Sequence, residues 1–293
     1  MGKTLNTEAL NEYPNIYKKS TNDLTIIDVS GKKIGGGGRF TIFAGPCRVE
    51  NQKMIKETAR FLKKSGAHVL RGGAFKPCTT PHSDWGRGEV ALNELRIAGD
   101  SVGMPVITEA MNEEQLKIVD KYTDIIQVGM RNGQNYMFLR EIGQNYTKPV
   151  FLKRGSWMNL REFLCAAEWI AHNNHENGHK GNPHIIACER GIVTFNDHMR
   201  WTIDFAMIPA FKQMSHLPIV IDISHGTGGK GNKSYYKDLC KAAVAVGADG
   251  LMLEVHPNPE KSLSDAEQTL SFEEFEDIIE SIRPIIEALG KEL

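Results

Sequence analysis

The stretch PIVIDISHGTGGKGNKSYYKDLCKAAVAVGADGLMLEV, residues 218–255, decides the fold. It opens on the apolar run 218–222 and closes on a second, 250–255, with a helical pattern over 233–246 between them. Each run is apolar on consecutive residues instead of alternating, which suits strands buried on both faces, as in a parallel sheet. Parallel neighbours need a crossover of a dozen or more residues, and the intervening helix supplies it. Working outward, the same rhythm recurs with runs at 40–44, 68–71, 105–109, 124–128, 149–153 and 184–188. Helical spacing fills gaps at 52–65 (Ile55, Ala59, Leu62), at 159–173 (Leu160, Phe163, Leu164, Ala167, Ile170, with Asn159 as N-cap) and at 272–289. Eight strand–helix units with no repeated motif text predict an α/β protein with a (β/α)8 TIM barrel. An open doubly wound sheet is the other fold the rhythm allows, and eight evenly spaced units favour closure.

The barrel, with a hairpin in front of it, is expected to occupy 25–293, after a polar, aperiodic arm at 1–24. Residues 25–29 alternate, Ser30-Gly31 turns, and 32–34 return, which predicts the hairpin. The glycine run 35–38 lacks the GxxxxGK[ST] pattern of a phosphate loop and reads as a turn into the first barrel strand. The Asn-, His- and Gly-rich segment 172–183 reads as a loop with solvated histidines. Lys+Arg total 35 against 36 Asp+Glu, a net charge of −1, which argues against a surface built for nucleic acid or anionic lipid. No apolar run approaches the ~18 residues a membrane span needs, and the polar start lacks an apolar signal core. Five widely spaced cysteines without a CxxC pair point to free thiols in a reducing cytoplasm and away from a four-cysteine zinc site.

In a barrel the chemistry sits at the carboxyl ends of the strands. The residues there are Cys47, Arg71, Lys76, Glu109, Arg131, Lys153, Arg154, Glu189, Arg190, His225, Glu254 and His256. A neutral chain that gathers several Arg and Lys at one mouth is suited to an anion, since Arg presents a rigid fork to phosphate or carboxylate. The bland alternative is that these charges only pair with one another. Cys47, His225, Glu254 and Asp265 come from the first, seventh and eighth strand ends and the following loop. One thiolate, one imidazole and two carboxylates suit a divalent ion such as Mn2+, Fe2+, Co2+ or Zn2+. Taken singly, Cys47 reads equally as an inert buried thiol and His225 as a loop residue.

These residues lie in segments that resemble a known family. AGPC (44–47), LRGGAFKP (70–77), RNGQN (131–135), LKRG (152–155), ACERG (187–191), DISHGTG (222–228) and LMLEVHPNPEKSLSD (251–265) follow one another as in the DAHP synthase and 3-deoxy-octulosonate-8-phosphate synthase superfamily. The likeness is nearest to the type I-beta DAHP synthases and covers roughly residues 25–290. It implies condensation of phosphoenolpyruvate with an aldose phosphate, erythrose 4-phosphate in the simplest case. It further implies Mn2+ foremost as the metal, held by Cys47, His225, Glu254 and Asp265. Phosphoenolpyruvate would lie among Arg71, Lys76, Arg131, Lys153, Arg190 and His225, with Lys153, His225 and Cys47 in catalytic roles. Lys153 is the implied proton donor or water-orienting group, and Glu109 a second water-orienting group. Pro77, Cys78, Thr79, Thr80 and Asp222 would bind the acceptor. A homo-oligomer, dimer or tetramer, is implied as well. The short arm leaves no room for an added regulatory segment, so little feedback inhibition by aromatic amino acids is expected. A non-catalytic barrel that kept only the anion pocket would have lost one of these residues, and none is lost.

The acceptor end departs from the family pattern. After Lys76-Pro77 relatives carry an Arg that would grip the acceptor's phosphate, where this chain has Cys78. His82-Ser83-Asp84-Trp85 stands where relatives show Tyr-Ser-Phe-Gln, and GTGGKG follows His225 in place of GTGRR. These departures suggest a homologue of specialised metabolism with an altered acceptor, either unphosphorylated or with its anionic end elsewhere. The competing reading is that Lys230, Arg87 or a residue of another subunit replaces the missing Arg.

Overall fold

The computed structural model describes residues 11–78, 80–172, 180–228 and 232–293. A hairpin, β1 (Ile26–Val29) and β2 (Lys32–Gly35), precedes eight parallel strands that close into a barrel. The barrel strands are β3 (Thr41–Gly45), β4 (Val69–Arg71), β5 (Val106–Glu109), β6 (Ile125–Val128), β7 (Val150–Lys153), β8 (Ile185–Glu189), β9 (Ile219–Asp222) and β10 (Gly250–Glu254). They run in chain order, and β10 closes on β3 with Gly250 opposite Thr41. All eight anticipated runs are strands. Seven of them begin one residue later than read, and in three of those the residue left out is a proline, Pro105, Pro149 or Pro218, which has no N–H to give the ladder. Their carbonyls still accept across the barrel from Leu70, Ile126 and Ala187.

Between the strands run α1 (Gln52–Lys64), α2 (Glu89–Val102), α3 (Glu113–Tyr122), α4 (Tyr136–Asn145), α5 (Leu160–Ala171), α6 (Met207–Met214), the short α7 (Ile223–Thr227) and α8 (Tyr236–Ala245), and α9 (Phe272–Ala288) follows β10. Side chains of Asn51, Asn112, Asn135, Asn159 and Ser271 accept from a backbone N–H in the first turn of their helices, satisfying donors that have no partner inside the helix. Asn159–Glu162 and Ser271–Glu274 form reciprocal capping boxes. The helix anticipated over 233–246 starts with a 3-10 turn, Asn232–Tyr235, before α8.

Strand periodicity sorts the core into two shells. Phe43, Val69, Ile107, Ile125, Phe151, Ile186, Val220 and Met252, one from each strand, form one buried cluster together with Cys188, a second residue of β8. Their sequence neighbours, such as Ile42, Leu70, Val106 and Leu152, join the helices in the other. The first cluster is the barrel interior. Ile27, Val29 and Ile34 of the hairpin belong to it, so the hairpin plugs the amino-terminal end. The glycine run at 35–38 lies at that closed end, in line with its reading as a turn. The described part of the arm is packed down: Tyr13 and Ile16 are buried, and Lys18 donates its backbone N–H to Met214. The sequence reading of a wholly polar arm missed these two anchors. Most of the loop anticipated over 172–183 lies outside the described residues. Among those described, no helix is long and apolar enough to cross a membrane.

One buried group predicts a pH dependence of stability. His68 Nδ1 accepts from the backbone N–H of Ile42 at 3.0 Å. Burial, aided by Arg39, Lys32 and Lys63, lowers its pKa from 6.5 to about 4. Below pH 6.5 the unfolded chain takes up a proton that the folded chain refuses. Stability is therefore fully present above that pH and is lost progressively toward pH 4, by up to about 3 kcal/mol. His68→Asn keeps an acceptor near Nδ1 but does not titrate. Urea midpoints at pH 7 and 4.5 are expected to differ less in that variant; equal differences would refute the assignment.

Candidate active site

The inward-facing parity of each strand leads to a polar layer above the apolar one. Two residues on from Val69, Ile107, Ile125, Phe151, Val220 and Met252 stand Arg71, Glu109, Gln127, Lys153, Asp222 and Glu254. Four residues on from Phe43 and Ile186 stand Cys47 and Arg190. At this carboxyl-terminal end opens a cavity of about 400 Å3. Seven Lys and Arg side chains line it against three carboxylates. The excess of positive charge decides between the two readings of the barrel mouth. Ion pairs do form, yet they leave a cationic pocket.

The thiol of Cys47 sits at one wall, where its Sγ donates to Asp265 Oδ2 at 2.6 Å and accepts from Lys76 Nζ. The loop that holds it is pinned by Gly73, whose N–H donates to the Cys47 carbonyl at 3.1 Å while its own carbonyl accepts from Val49. A Cβ on Gly73 would stand 2.3 Å from that Cys47 carbonyl oxygen, so only glycine allows the approach. Asp265 adopts φ +55°, a left-handed conformation that Asp tolerates better than most residues.

Asp222 fixes His225. Its Oδ2 accepts from His225 Nδ1 at 2.8 Å and from Lys153 Nζ at 2.6 Å, and its Oδ1 accepts from the His225 backbone N–H at 3.0 Å. That leaves Nε2, 3.3 Å from Glu254 Oε1, as the free ring nitrogen. Glu254 also accepts from Arg71 Nη1 at 2.7 Å and from Gln268 Nε2 at 2.5 Å. Cys47, His225, Glu254 and Asp265 thus each offer one ligand atom, all within 4.8 Å of one another. The donor set fits a divalent ion: a thiolate, an imidazole and two carboxylates converge, and a carboxylate behind the imidazole sets its tautomer.

The electrostatics follow from burial and neighbours. Burial, and Glu254 next to it, push the Cys47 thiol up. Burial alone would raise the Asp222 carboxyl, but His225 and Lys153 outweigh it and hold the group well below the usual range. The same contest lowers Glu254, through His225 and Arg71, and takes Asp265 to about 2, through Lys76 foremost. Burial lowers Arg190. Its guanidinium lies 5.1 Å from the ring of Trp201, and its Nη1 is buried with no hydrogen-bond partner among the described residues. A buried orphan donor of this kind suits an anionic ligand.

Arg71, Lys76, Arg131, Lys153, Arg190 and His225 all line the cavity, as do Pro77, Cys78 and Thr80. Thr79 and Lys230 lie outside the described residues. Asp222, anticipated as an acceptor contact, is fully buried with both oxygens engaged; it stands behind His225 and Lys153 and does not line the cavity. Arg154 likewise turns away, pairing with Glu189 at 2.8 Å and Asp204 at 3.3 Å. Glu109 lines the cavity and accepts from Gln127 Nε2 at 3.2 Å. Arg87 donates to both oxygens of Glu94 and to the Glu50 carbonyl, and it is not among the lining residues.

Two cavity cations escaped the sequence reading, Arg48 and Arg200. Arg48 directly follows Cys47, and the strand-end rule that selected the cysteine reaches it too. Arg200 stacks on Trp201 at 5.2 Å from within the long connection after β8, where periodicity carries no signal.

Comparison with known proteins extends the picture. The model of the DAHP synthetase I family matches residues 18–288. The chain is 48% identical over 266 residues to the phospho-2-dehydro-3-deoxyheptonate aldolase of Thermotoga maritima, covering 91% of this chain and 75% of that one. It is 28% identical to the 2-dehydro-3-deoxyphosphooctonate aldolase of Desulfosudis oleivorans, over 92% and 97% of the two chains. The crystal structure of the Thermotoga maritima DAHP synthase matches with a TM-score of 0.87 at 45% identity, over 94% of this chain and 77% of that one. A truncated form of the 3-deoxy-D-arabino-heptulosonate 7-phosphate synthase from that organism gives 0.86 at 43% identity, over 96% and 99%.

Proposed function

The chain belongs to the DAHP synthetase I family, and from that premise we propose that it condenses phosphoenolpyruvate with an aldose phosphate, erythrose 4-phosphate in the simplest case, in a reaction that depends on a divalent metal. The observation that carries this reading is the convergence of Cys47, His225, Glu254 and Asp265 beside the cations of one cavity. Mn2+ is the favoured ion, and Fe2+, Co2+ and Zn2+ suit the same donors. When bound, the ion supplies Lewis-acid polarisation of the acceptor's carbonyl.

The chain's own residues supply the rest. Arg71, Lys76, Arg131, Lys153 and Arg190 hold the phosphate and carboxylate of phosphoenolpyruvate. Because these donors are fixed by the barrel before reaction, little reorganisation is needed as charge develops. C3 of phosphoenolpyruvate bonds to the aldehyde carbon, whose oxygen takes up a proton, and water adds to the electron-poor C2. The C2–O bond to phosphorus-bearing oxygen then breaks and inorganic phosphate leaves, giving a 3-deoxy-2-ulosonate. Lys153, at the end of β7, would give or relay the proton, and Glu109, at the end of β5, would orient the water. A cytoplasmic homo-oligomer, dimer or tetramer, is part of the proposal.

Cys78 keeps a second reading in view, an unphosphorylated aldehyde acceptor, because a thiol cannot grip a phosphate as a guanidinium does. Phosphate release with phosphoenolpyruvate and an aldehyde panel, before and after chelation, tests both. Release is expected to require metal and aldehyde together and to return when Mn2+ is restored. Full turnover after chelation would refute metal dependence. An unphosphorylated best acceptor would favour the second reading.

A further inference from the structure

We propose that Arg48 binds the anionic end of the acceptor, supplying the guanidinium that Cys78 lacks, with Asp84 holding it ready until the acceptor arrives. The inference rests on the phosphoenolpyruvate-condensing reading above and assigns the acceptor's class, an aldehyde bearing a phosphate.

The Arg48 side chain is only 7% exposed, yet it lines the cavity. Its Nη2 donates to Asp84 Oδ2 at 2.6 Å, and its Nε is buried without a hydrogen-bond partner among the described residues. A buried guanidinium with an orphan donor is costly unless a ligand completes it. Arg48 lines the same cavity as Cys47, His225 and Asp265, so an acceptor whose aldehyde lies at those ligands has its anionic end within the cavity that Arg48 lines.

The loop that lost the family's Arg is the loop that holds Arg48. Cys78 Sγ donates to the backbone carbonyl of Asp84 at 3.3 Å, so the two substituted positions touch. The loop is shaped for this contact. Gly86, at φ +97°, donates its N–H to Asp84 Oδ1 at 2.8 Å, and a Cβ there would stand 2.2 Å from the Ala74 carbonyl oxygen. Position 78, where the charge is lost, and the charged Arg48 thus both contact Asp84.

Asp84 is a weak competitor. Its side chain is 58% exposed, and half-exposed ion pairs contribute little. A phosphate dianion carries more charge than the carboxylate and offers more acceptor oxygens, so it displaces Asp84 or shares the fork with it. Arg87, the other described candidate for this role, is committed to Glu94 and Glu50.

The test compares erythrose 4-phosphate with erythrose as acceptors. In the wild type, kcat/KM is expected to favour the phosphorylated sugar. Arg48→Met is expected to shrink that preference about 10- to 100-fold, the scale of one charge-assisted contact, with acceptor KM rising far more than the KM for phosphoenolpyruvate. Adding Cys78→Arg to Arg48→Met is expected to restore most of the preference, which a purely structural role would not permit. Asp84→Asn is expected to lower acceptor KM by about two- to fivefold. If Arg48→Met misfolds, Arg48→Lys keeps the charge without the fork and is expected to lose about tenfold in preference. An Arg48 variant that keeps the preference within about threefold overturns the inference. So does a wild type that uses erythrose as well as its phosphate, although phosphoenolpyruvate condensation then still stands. A wild type that consumes phosphoenolpyruvate with neither sugar brings down the functional reading, and this inference with it.

Discussion

Cys47→Ala is expected to lower turnover at saturating substrates by about 10^3-fold or more, and the purified variant to retain little bound Mn2+ at concentrations that load the wild type. The side chain lost is small, but it is the sulfur of a four-donor set whose atoms lie within 4.8 Å of one another. His225, Glu254 and Asp265 remain, yet the site loses its only soft ligand. The fold is expected to survive, because removing one buried thiol and its hydrogen bond to Asp265 falls in the ordinary range of point substitutions, about 1–3 kcal/mol. Cys47→Ser separates two accounts of the residue. If Cys47 serves only to donate to Asp265, serine donates as well and restores turnover. If it is a metal ligand, serine restores the hydrogen bond without the thiolate and turnover stays low. Retention of more than about a tenth of wild-type turnover by the alanine variant, with unchanged metal content, would remove Cys47 from the site.

The strands were legible because each is short, β-branched and buried on both faces, so its signal is local. The layer of functional residues was legible for a related reason. Once Val69, Ile107, Phe151, Val220 and Met252 point inward, period two forces Arg71, Glu109, Lys153, Asp222 and Glu254 to do the same. Sequence does not tell how deep each inward residue sits. Asp222 and His225 are three residues apart, yet one is fully buried behind the other and the second faces the cavity. Whether barrel-top charges pair or stay available is equally a matter of three dimensions, and both occur here: Arg154 closes on Glu189, while Arg190 keeps an orphan nitrogen. Nothing in the sequence ties Arg48 to position 78, thirty residues downstream, and only folding brings both to Asp84.

Lys153→Met is expected to cost twice, in catalysis and in stability, and the two losses are separable. The Lys153 side chain is 5% exposed, its Nζ donates to Asp222 Oδ2, and Asp222 is fully buried. Removing the cation leaves a buried carboxylate whose hydrogen bonds come from His225, with Arg71 and Arg190 acting on it through space, a class of change that costs about 3–5 kcal/mol. Turnover is expected to fall by about 10^2- to 10^4-fold, the range for loss of a positioned proton donor. Asp222→Asn added to Lys153→Met removes the uncompensated charge, while its single amide oxygen can still accept from one of the two His225 donors, Nδ1 or the backbone N–H. The double variant is expected to regain part of the lost stability in urea titrations and none of the lost turnover. That pattern follows if Lys153 acts on the reacting atoms, because easing strain behind the site does not return a missing donor. Were turnover to recover along with stability, the lysine would act only by balancing Asp222 and holding His225 in place. Its catalytic role would then pass to another group in the cavity, with Glu109 and the water it orients the next to examine by substitution.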